Sequence, residues 1–312
     1  MPKRLLTIAS GPDRVFLRAV LLTVGASLAF NLMNAVIQYL QDLHAFEVAF
    51  FRNVFGLIAL TPFFLRNGLR PLKTSVFRLH GLRAVINVVS MMCFFYAIQI
   101  TPLAEVASLG FTLPLFVTLY AAIFLKERLR ARRLTALGVG LIGALVIVQP
   151  WTGQMNIGAY LLLAGSAIWG IALLVIRVIG RTDSAVTITA WASILLAVLS
   201  FPLALTVWRW PTPEEFGWLA LIGCLGTIGA LGVSQALRLA ETSALMPYDF
   251  IKLIWAGLVG FIFFAQVPTV ATLVGGAIVF SSTLYLTYRE AKLQREGFAR
   301  TQQEAKGGDF GS

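Results

Sequence analysis

Ten apolar runs, each close to the length a helix needs to cross a bilayer, limit what this chain can become. They are 16–39, 46–65, 81–100, 103–125, 134–149, 157–176, 185–208, 216–237, 244–265 and 269–288. The connections between them are short, in places no more than Thr101-Pro102 or Gln266-Val267-Pro268. Short connections make consecutive helices antiparallel neighbours. The runs are continuous rather than alternating, which excludes the strands of a membrane barrel. Charged residues make up 12% of the 312 and hydrophobic ones 58%. Those values exclude a disordered chain, a nucleic-acid-binding domain and a typical soluble enzyme.

The net charge of +11 gains meaning only once the charges are placed. Lys3, Arg4, Arg14 and Arg18 precede or open the first run. Further cations fall in every second connection: Arg66, Arg70, Lys73 and Arg78, then Lys126, Arg128, Arg130, Arg132 and Arg133, then Arg177 and Arg181, then Arg238. The segment after the last run carries Arg289, Lys292, Arg295, Arg300 and Lys306, whereas the alternate connections hold only Arg209. This asymmetry predicts cytoplasmic N and C termini for a multi-pass protein of a bacterial-type cytoplasmic (inner) membrane. The first run is too long for the apolar core of a cleaved signal peptide and is expected to remain as a helix.

Sliding the chain by 139 residues lays the first five runs over the last five. Ser27 meets Ser166, Val36 meets Val175, Leu57 meets Leu196, Ala97 meets Ala236, Phe111 meets Phe250 and Phe124 meets Phe263. Because five is odd, the second unit enters from the opposite side. The expected fold is therefore all-α and integral to the membrane, with ten transmembrane helices as two inverted-topology five-helix repeats. The expected boundaries are a tail at 1–15, repeats at 16–149 and 157–288, and a tail at 289–312.

Polar side chains inside apolar helices locate a cavity, because in hydrocarbon they must face protein or water. Ser27, Asn31, Asn34 and Gln38 share one face of the first helix. We read them as a cavity wall; interhelical hydrogen bonding is the alternative. Arg83, Asn87 and Ser90 line a face of the third helix, and Glu105, Ser108 and Thr112 one of the fourth. Glu47 and Arg52 are five apart and so lie on different faces. Arg52 is either half of a structural ion pair, with Glu47 or Glu105, or a substrate contact.

Asp249 and Lys252, three apart in Pro247-Tyr248-Asp249-Phe250-Ile251-Lys252, can neutralise one another. The pair either satisfies itself, opens to a charged or zwitterionic ligand, or lends Asp249 to a coupling proton. Pro114 frees a carbonyl and should kink the fourth helix at Gly110, and Pro247 acts similarly near the start of the ninth. Gly223, Gly226, Gly229 and Gly232 form a smooth packing groove. Gly138-Val139-Gly140-Leu141-Ile142-Gly143 lies inside an apolar run with no preceding strand, so it is packing rather than a nucleotide fingerprint. Two cysteines and two histidines, with no constellation among them, point to no metal site, no cofactor and no enzymatic chemistry.

Phe50-Phe51-Arg52, Pro102-Leu103-Ala104-Glu105-Val106-Ala107, Leu125-Lys126-Glu127-Arg128, Trp169 and Pro247-Tyr248-Asp249 occur in an order that resembles the drug/metabolite transporter superfamily, specifically its EamA-type ten-helix members. The resemblance covers about 16–290. It implies a secondary transporter working by alternating access around a central cavity, for a small polar or amphipathic metabolite such as an amino acid, S-adenosylmethionine or a riboflavin-like solute. One departure stands out: Gln266 occupies the position in the second repeat where an acid would match Glu127.

The expected cavity lining is Asn31, Asn34, Gln38, Arg52, Asn87, Ser90, Trp169, Tyr248, Asp249, Lys252 and Trp255, with Glu105 and Asp249 as coupling candidates. The expected partners are a small-molecule solute and membrane lipids, with no nucleic acid, in a monomer or homodimer. A lipid or lipid-precursor flippase and a non-transport membrane sensor or assembly factor are the alternatives.

Overall fold

A computed structural model describes residues 12–68, 72–124, 131–152, 156–183, 185–240, 245 and 248–307. Eleven helices of at least two turns are described there: α1 (Pro12–Tyr39), α2 (Ala45–Asn67), α3 (Phe77–Ile100), α4 (Leu103–Gly110), α5 (Leu113–Phe124), α6 (Ala131–Val148), α7 (Ile157–Ile179), α8 (Ala185–Leu205), α9 (Pro213–Leu239), α10 (Ile251–Phe264) and α11 (Val270–Gly307). Among the described residues there is no strand. Eight helical stretches there are long and apolar enough to cross a bilayer, and Ile251–Phe264 is apolar but shorter. The expected run 46–65 falls in α2. Pro247, Lys126, Glu127, Arg128, Arg130 and Arg70 lie outside the described residues.

The bundle is apolar outside and polar within. Val198, Phe261, Ile262 and Phe263 are exposed, while Ser27, Asn31, Asn87, Ser90 and Ser108 are buried. That is the arrangement demanded by a lipid solvent, which rewards no polar contact.

Helix packing repeats with exchanged partners. α1 packs on α9, and its counterpart α7 packs on α3. α2 also packs on α9, as its counterpart α8 packs on α3. α1 meets α10, and α7 meets α4 and α5. Three further pairs, α2 with α8, α4 with α10 and α6 with α11, map onto themselves. A pseudo-two-fold relating the halves interchanges these contacts.

The glycine run of α9 receives α1 and α2. A Cβ at Gly223 would lie 2.4 Å from Phe55 Cβ and 2.9 Å from the Gly56 nitrogen. One at Gly226 would meet Met33 Sδ and the Arg52 guanidinium, one at Gly229 the Phe30 ring, and one at Gly232 the Ala26 methyl. The groove is thus filled by close helix approach.

The connections α1–α2, α3–α4, α6–α7, α8–α9 and α10–α11 meet at one end of the bundle, here the far end; α1 begins at the opposite, terminal end. Each end has a strut between the halves. At the far end the Arg209 N–H donates to Glu47 Oε1 at 2.6 Å. At the terminal end Trp191 Nε1 donates to the Leu72 carbonyl at 3.1 Å, and Arg83 Nη1 to the Ile188 carbonyl at 3.0 Å. His80 Nε2 adds a bond to Asp183 Oδ2 at 2.8 Å.

The His80 hydrogen bond, followed by one from Thr74, holds the Asp183 carboxyl below its ordinary range. A depressed carboxyl stabilises fully above its unfolded pKa and loses that contribution as pH falls through the folded one. We predict that Asp183→Ala destabilises the protein by about 1–3 kcal/mol at neutral pH. The gap between variant and parent melting temperatures should narrow as the buffer is acidified below the carboxylate range; a constant gap would remove Asp183 as its source. Gly223→Ala should cost about 1–3 kcal/mol because backbone blocks the new methyl. Gly217→Ala, with nothing within 4 Å of the new atom, should not lower the melting temperature in detergent.

Candidate functional site

The fourth apolar run does not form one kinked helix. Pro114 has no N–H to give Gly110, so α4 ends there and α5 starts at Leu113. Across the gap the chain tightens: Phe111 N donates to the Ser108 carbonyl, Thr112 N to Leu109 and Leu115 N to Thr112. The Phe111 carbonyl is left without a helical partner and is taken by Thr283 Oγ1 of α11 at 2.8 Å.

The second half is interrupted at the matching place. Tyr248 and Asp249 are helical, Phe250 is a turn, and α10 begins at Ile251. Leu253 N donates to the Phe250 carbonyl, as Leu115 N does to Thr112. Phe111 and Phe250 are the pair superposed by the 139-residue offset. Both rings rest on one residue of α11, Phe280, at centroid distances of 5.2 and 4.4 Å.

The Asp249–Lys252 pair stands at this interruption. Lys252 Nζ donates to Asp249 Oδ2 at 2.5 Å and lies 5.9 Å from the centre of the Phe111 ring. Neither side chain is sealed: Lys252 is 36% exposed and Asp249 20%. A cation and an anion, both partly exposed, thus stand beside the Phe111 ring, which is itself buried. The sequence points to Asp249 and Lys252, but nothing in an apolar run singles out Phe280 or Thr283.

The other expected lining residues divide. Asn31 Nδ2 donates to the Ser27 carbonyl within α1, and Asn34, one turn on, is half-buried. Arg52 is half-buried against Gly226 and Met33, and its Nη1 donates to Asn53 Oδ1 at 3.1 Å. Neither suggested acid is its partner among the described residues: Glu47 accepts from Arg209 N, and Glu105 accepts from Asn156 Nδ2 at 2.6 Å. Ser90 Oγ is used by the Gly165 carbonyl. Asn87 is buried, with Oδ1 unpartnered. Trp169 and Trp255 are half-buried, the latter with a buried indole N–H lacking a partner. Tyr248 is exposed and meets Phe16 edge-on at 6.1 Å, at the terminal end.

Gln38 is drawn away to the far end. Its Nε2 donates to the Thr101 carbonyl at 2.9 Å, and its Oε1 accepts from Gln266 Nε2 at 3.0 Å. Outside these amides is a cleft of about 650 Å³, lined among others by Gln38, Tyr39, Gln99, Trp218, Phe263 and Gln266. Among the described residues no cluster of His, Cys, Asp and Glu is arranged to hold a metal ion.

A family model described as the EamA-like transporter family matches the chain twice, at residues 17–149 and 156–288. An S-adenosylmethionine uptake transporter of Rickettsia felis is 29% identical, over 87% of this chain and 92% of its own. A riboflavin transporter of Rhizobium johnstonii is 28% identical, over 93% and 97%. The pseudopaline exporter CntI of Pseudomonas aeruginosa is 27% identical, over 86% and 95%. A solved crystal structure with 18% identity has the same fold, with a TM-score of 0.57 over 90% of this chain and 98% of the other.

Thr283→Val keeps the side-chain volume and removes the only donor described for the Phe111 carbonyl. It should destabilise the protein by about 1–3 kcal/mol. Thr287→Val, which removes a hydroxyl bonded within α11 itself, should cost less than half as much. Equal losses in the two melting temperatures would remove the special role of the interruption.

Proposed function

Since the chain belongs to the EamA-like transporter family, we propose that its solute is a small zwitterion carrying a flat ring, an amino-acid-ended metabolite of the S-adenosylmethionine kind. It is a multi-pass membrane transporter, and the proposal concerns what it carries and how. The observation behind the choice is the partly exposed Asp249–Lys252 pair beside Phe111. A zwitterion's ammonium can replace Lys252 at the Asp249 carboxylate, and its carboxylate can replace Asp249 at the Lys252 ammonium. The exchange keeps the amino-acid end of the solute charge-balanced, and the remaining sulfonium of an S-adenosylmethionine-like solute is left to aromatic faces, which attract a cation. A flat ring then finds partners in Phe250 and Phe280, the partly exposed rings of the cluster that Phe111 completes from below. Riboflavin offers the flat ring but no zwitterion, so the pair favours the amino-acid-ended solute.

Placement at paired helix interruptions supports the reading, because half-helix ends near the midplane supply unpaired backbone groups and a point of flexure. In this reading ten helices cross the membrane, with α4 and α5 sharing one crossing. The repeats span 16–149 and 157–288, and the tails before and after them are cytoplasmic, as the cation distribution requires. Glu105, whose carboxylate accepts from Asn156, and Asp249, whose carboxylate accepts from Lys252, are the two candidates for a coupling proton.

Proteoliposome uptake tests this. Labelled S-adenosylmethionine should enter, and unlabelled amino-acid-ended analogues should compete with it better than riboflavin does. Asp249→Asn and Lys252→Ala should each lower flux about ten- to hundredfold, the scale of losing a charge-assisted contact, while still leaving folded protein in the membrane. Parental flux in both variants would end the assignment of the pair. Lipid scrambling without solute flux would replace the transporter of solutes by a flippase.

A further inference from the structure

At the far end two side-chain amides form a hydrogen-bonded chain whose direction is forced at both ends. The Leu103 N–H, in the first turn of α4, can only donate, so Gln266 must turn Oε1 towards it, at 3.0 Å. Gln266 Nε2 then faces Gln38, which must present Oε1, at 3.0 Å. That leaves Gln38 Nε2 for the Thr101 carbonyl at 2.9 Å, which can only accept. A backbone donor and a backbone acceptor thus fix both amide orientations, and every group is satisfied. Three parts of the bundle are tied: α1, the α3–α4 connection and the α10–α11 connection. Gln99 Nε2 adds a tie from α3 to the Leu40 and Leu43 carbonyls.

Gln266 is delivered to this place by the backbone. Ala265 is left-handed at φ 51°, and Gln266 N returns to the Gly260 carbonyl at 3.0 Å, which ends α10 and turns the next side chain inwards. Gln38, Gln99 and Gln266 also line the cleft of about 650 Å³. Of the α1 residues that line the cleft Gln38 is the innermost, and Asn34, which does not line it, lies one turn of α1 further in.

We propose that this amide chain is the far-side gate of the transport pathway, with Gln266 as the positioning residue that holds it shut. The proposal rests on the transporter reading but not on the identity of the solute. It also explains why glutamine stands where an acid would match Glu127. An ionised carboxylate at 266 accepts from Leu103 but has nothing to donate to Gln38. Turning the Gln38 amide to meet it would set oxygen against the Thr101 carbonyl. A protonated carboxyl has a hydroxyl to donate and restores the chain. Gln266→Glu therefore converts a pH-indifferent gate into a pH-dependent one, closed in acid and loosened in base.

The test reads accessibility and needs no substrate, so a failure of flux and a failure of the gate are separate results. Cys93→Ser and Cys224→Ser remove the native thiols, and Asn34→Cys places one behind the gate. Sealed vesicles are treated with a membrane-impermeant maleimide on whichever side labels Gln41→Cys, an exposed cleft position. Labelling of Asn34→Cys should be slow with Gln266 present and rise at least about tenfold with Gln266→Ala. With Gln266→Glu, the ratio to the Gln266 protein at the same pH should be near unity in acid and rise in base. Asp42, Glu214 and Glu215 share the cleft and Glu105 lies near Leu103 on α4, but all four are present in both proteins, so the ratio removes their titration. Equal labelling with Gln266→Ala, or a pH-independent ratio with Gln266→Glu, would overturn the gate.

Discussion

Backbone hydrogen bonding in a medium without water is the constraint on which the structure depends. In hydrocarbon each unpaired N–H or C=O costs several kcal/mol, so a helix can be interrupted only where some other group takes over its duties. The gap between α4 and α5 obeys this: i to i−3 bonds absorb part of the loss, and the Thr283 hydroxyl takes the Phe111 carbonyl. The first turn of α4 obeys it too, through the Gln266 amide on Leu103 N. At the N-terminus of α7, Asn156 Oδ1 accepts from Ala159 N while its Nδ2 serves Glu105. Many of the polar side chains inside the bundle are thus completing a backbone, and those left over mark the candidate site.

Much of this was legible in the residues and some was not. The apolar runs declare the helices because lipid demands about 20 apolar residues per crossing. The 139-residue offset announces the inverted repeat, and Pro114 announces a break after Gly110; that the break falls at Phe111 and Phe250 in the two halves is known only from the structure. The spacing of Gly223, Gly226, Gly229 and Gly232 announces a groove; the residues that fill it, Phe55, Arg52, Phe30 and Ala26, become known only in three dimensions. A stripe on one helix face says that polar groups share a direction, but not how deep each lies. Hence Gln38 groups with Asn31 in sequence and with Thr101 and Gln266 in space. Phe280 and Thr283 carry no local signal, since an aromatic or a hydroxyl in an apolar helix is ordinary.

The struts and the amide chain differ in kind. Glu47 with Arg209 at one end, and Trp191 with Leu72 at the other, join helix starts to connections of the opposite half in matching ways. They brace α2 and α8 alike at both ends. The chain through Gln266 and Gln38 instead ties α1 to the starts of α4 and α11. One set suits a frame and the other a moving part.

Phe280 deserves a last consequence. Its ring is shared by Phe111 and Phe250, one from each half. Two copies of an ancestral unit can drift apart freely where each has its own neighbours, but here they meet on a common surface. A change of ring size at 111 alters the fit at 280 and thereby the tolerance at 250. The three positions form one epistatic unit, and a library that varied them singly would misjudge which ring combinations this scaffold tolerates.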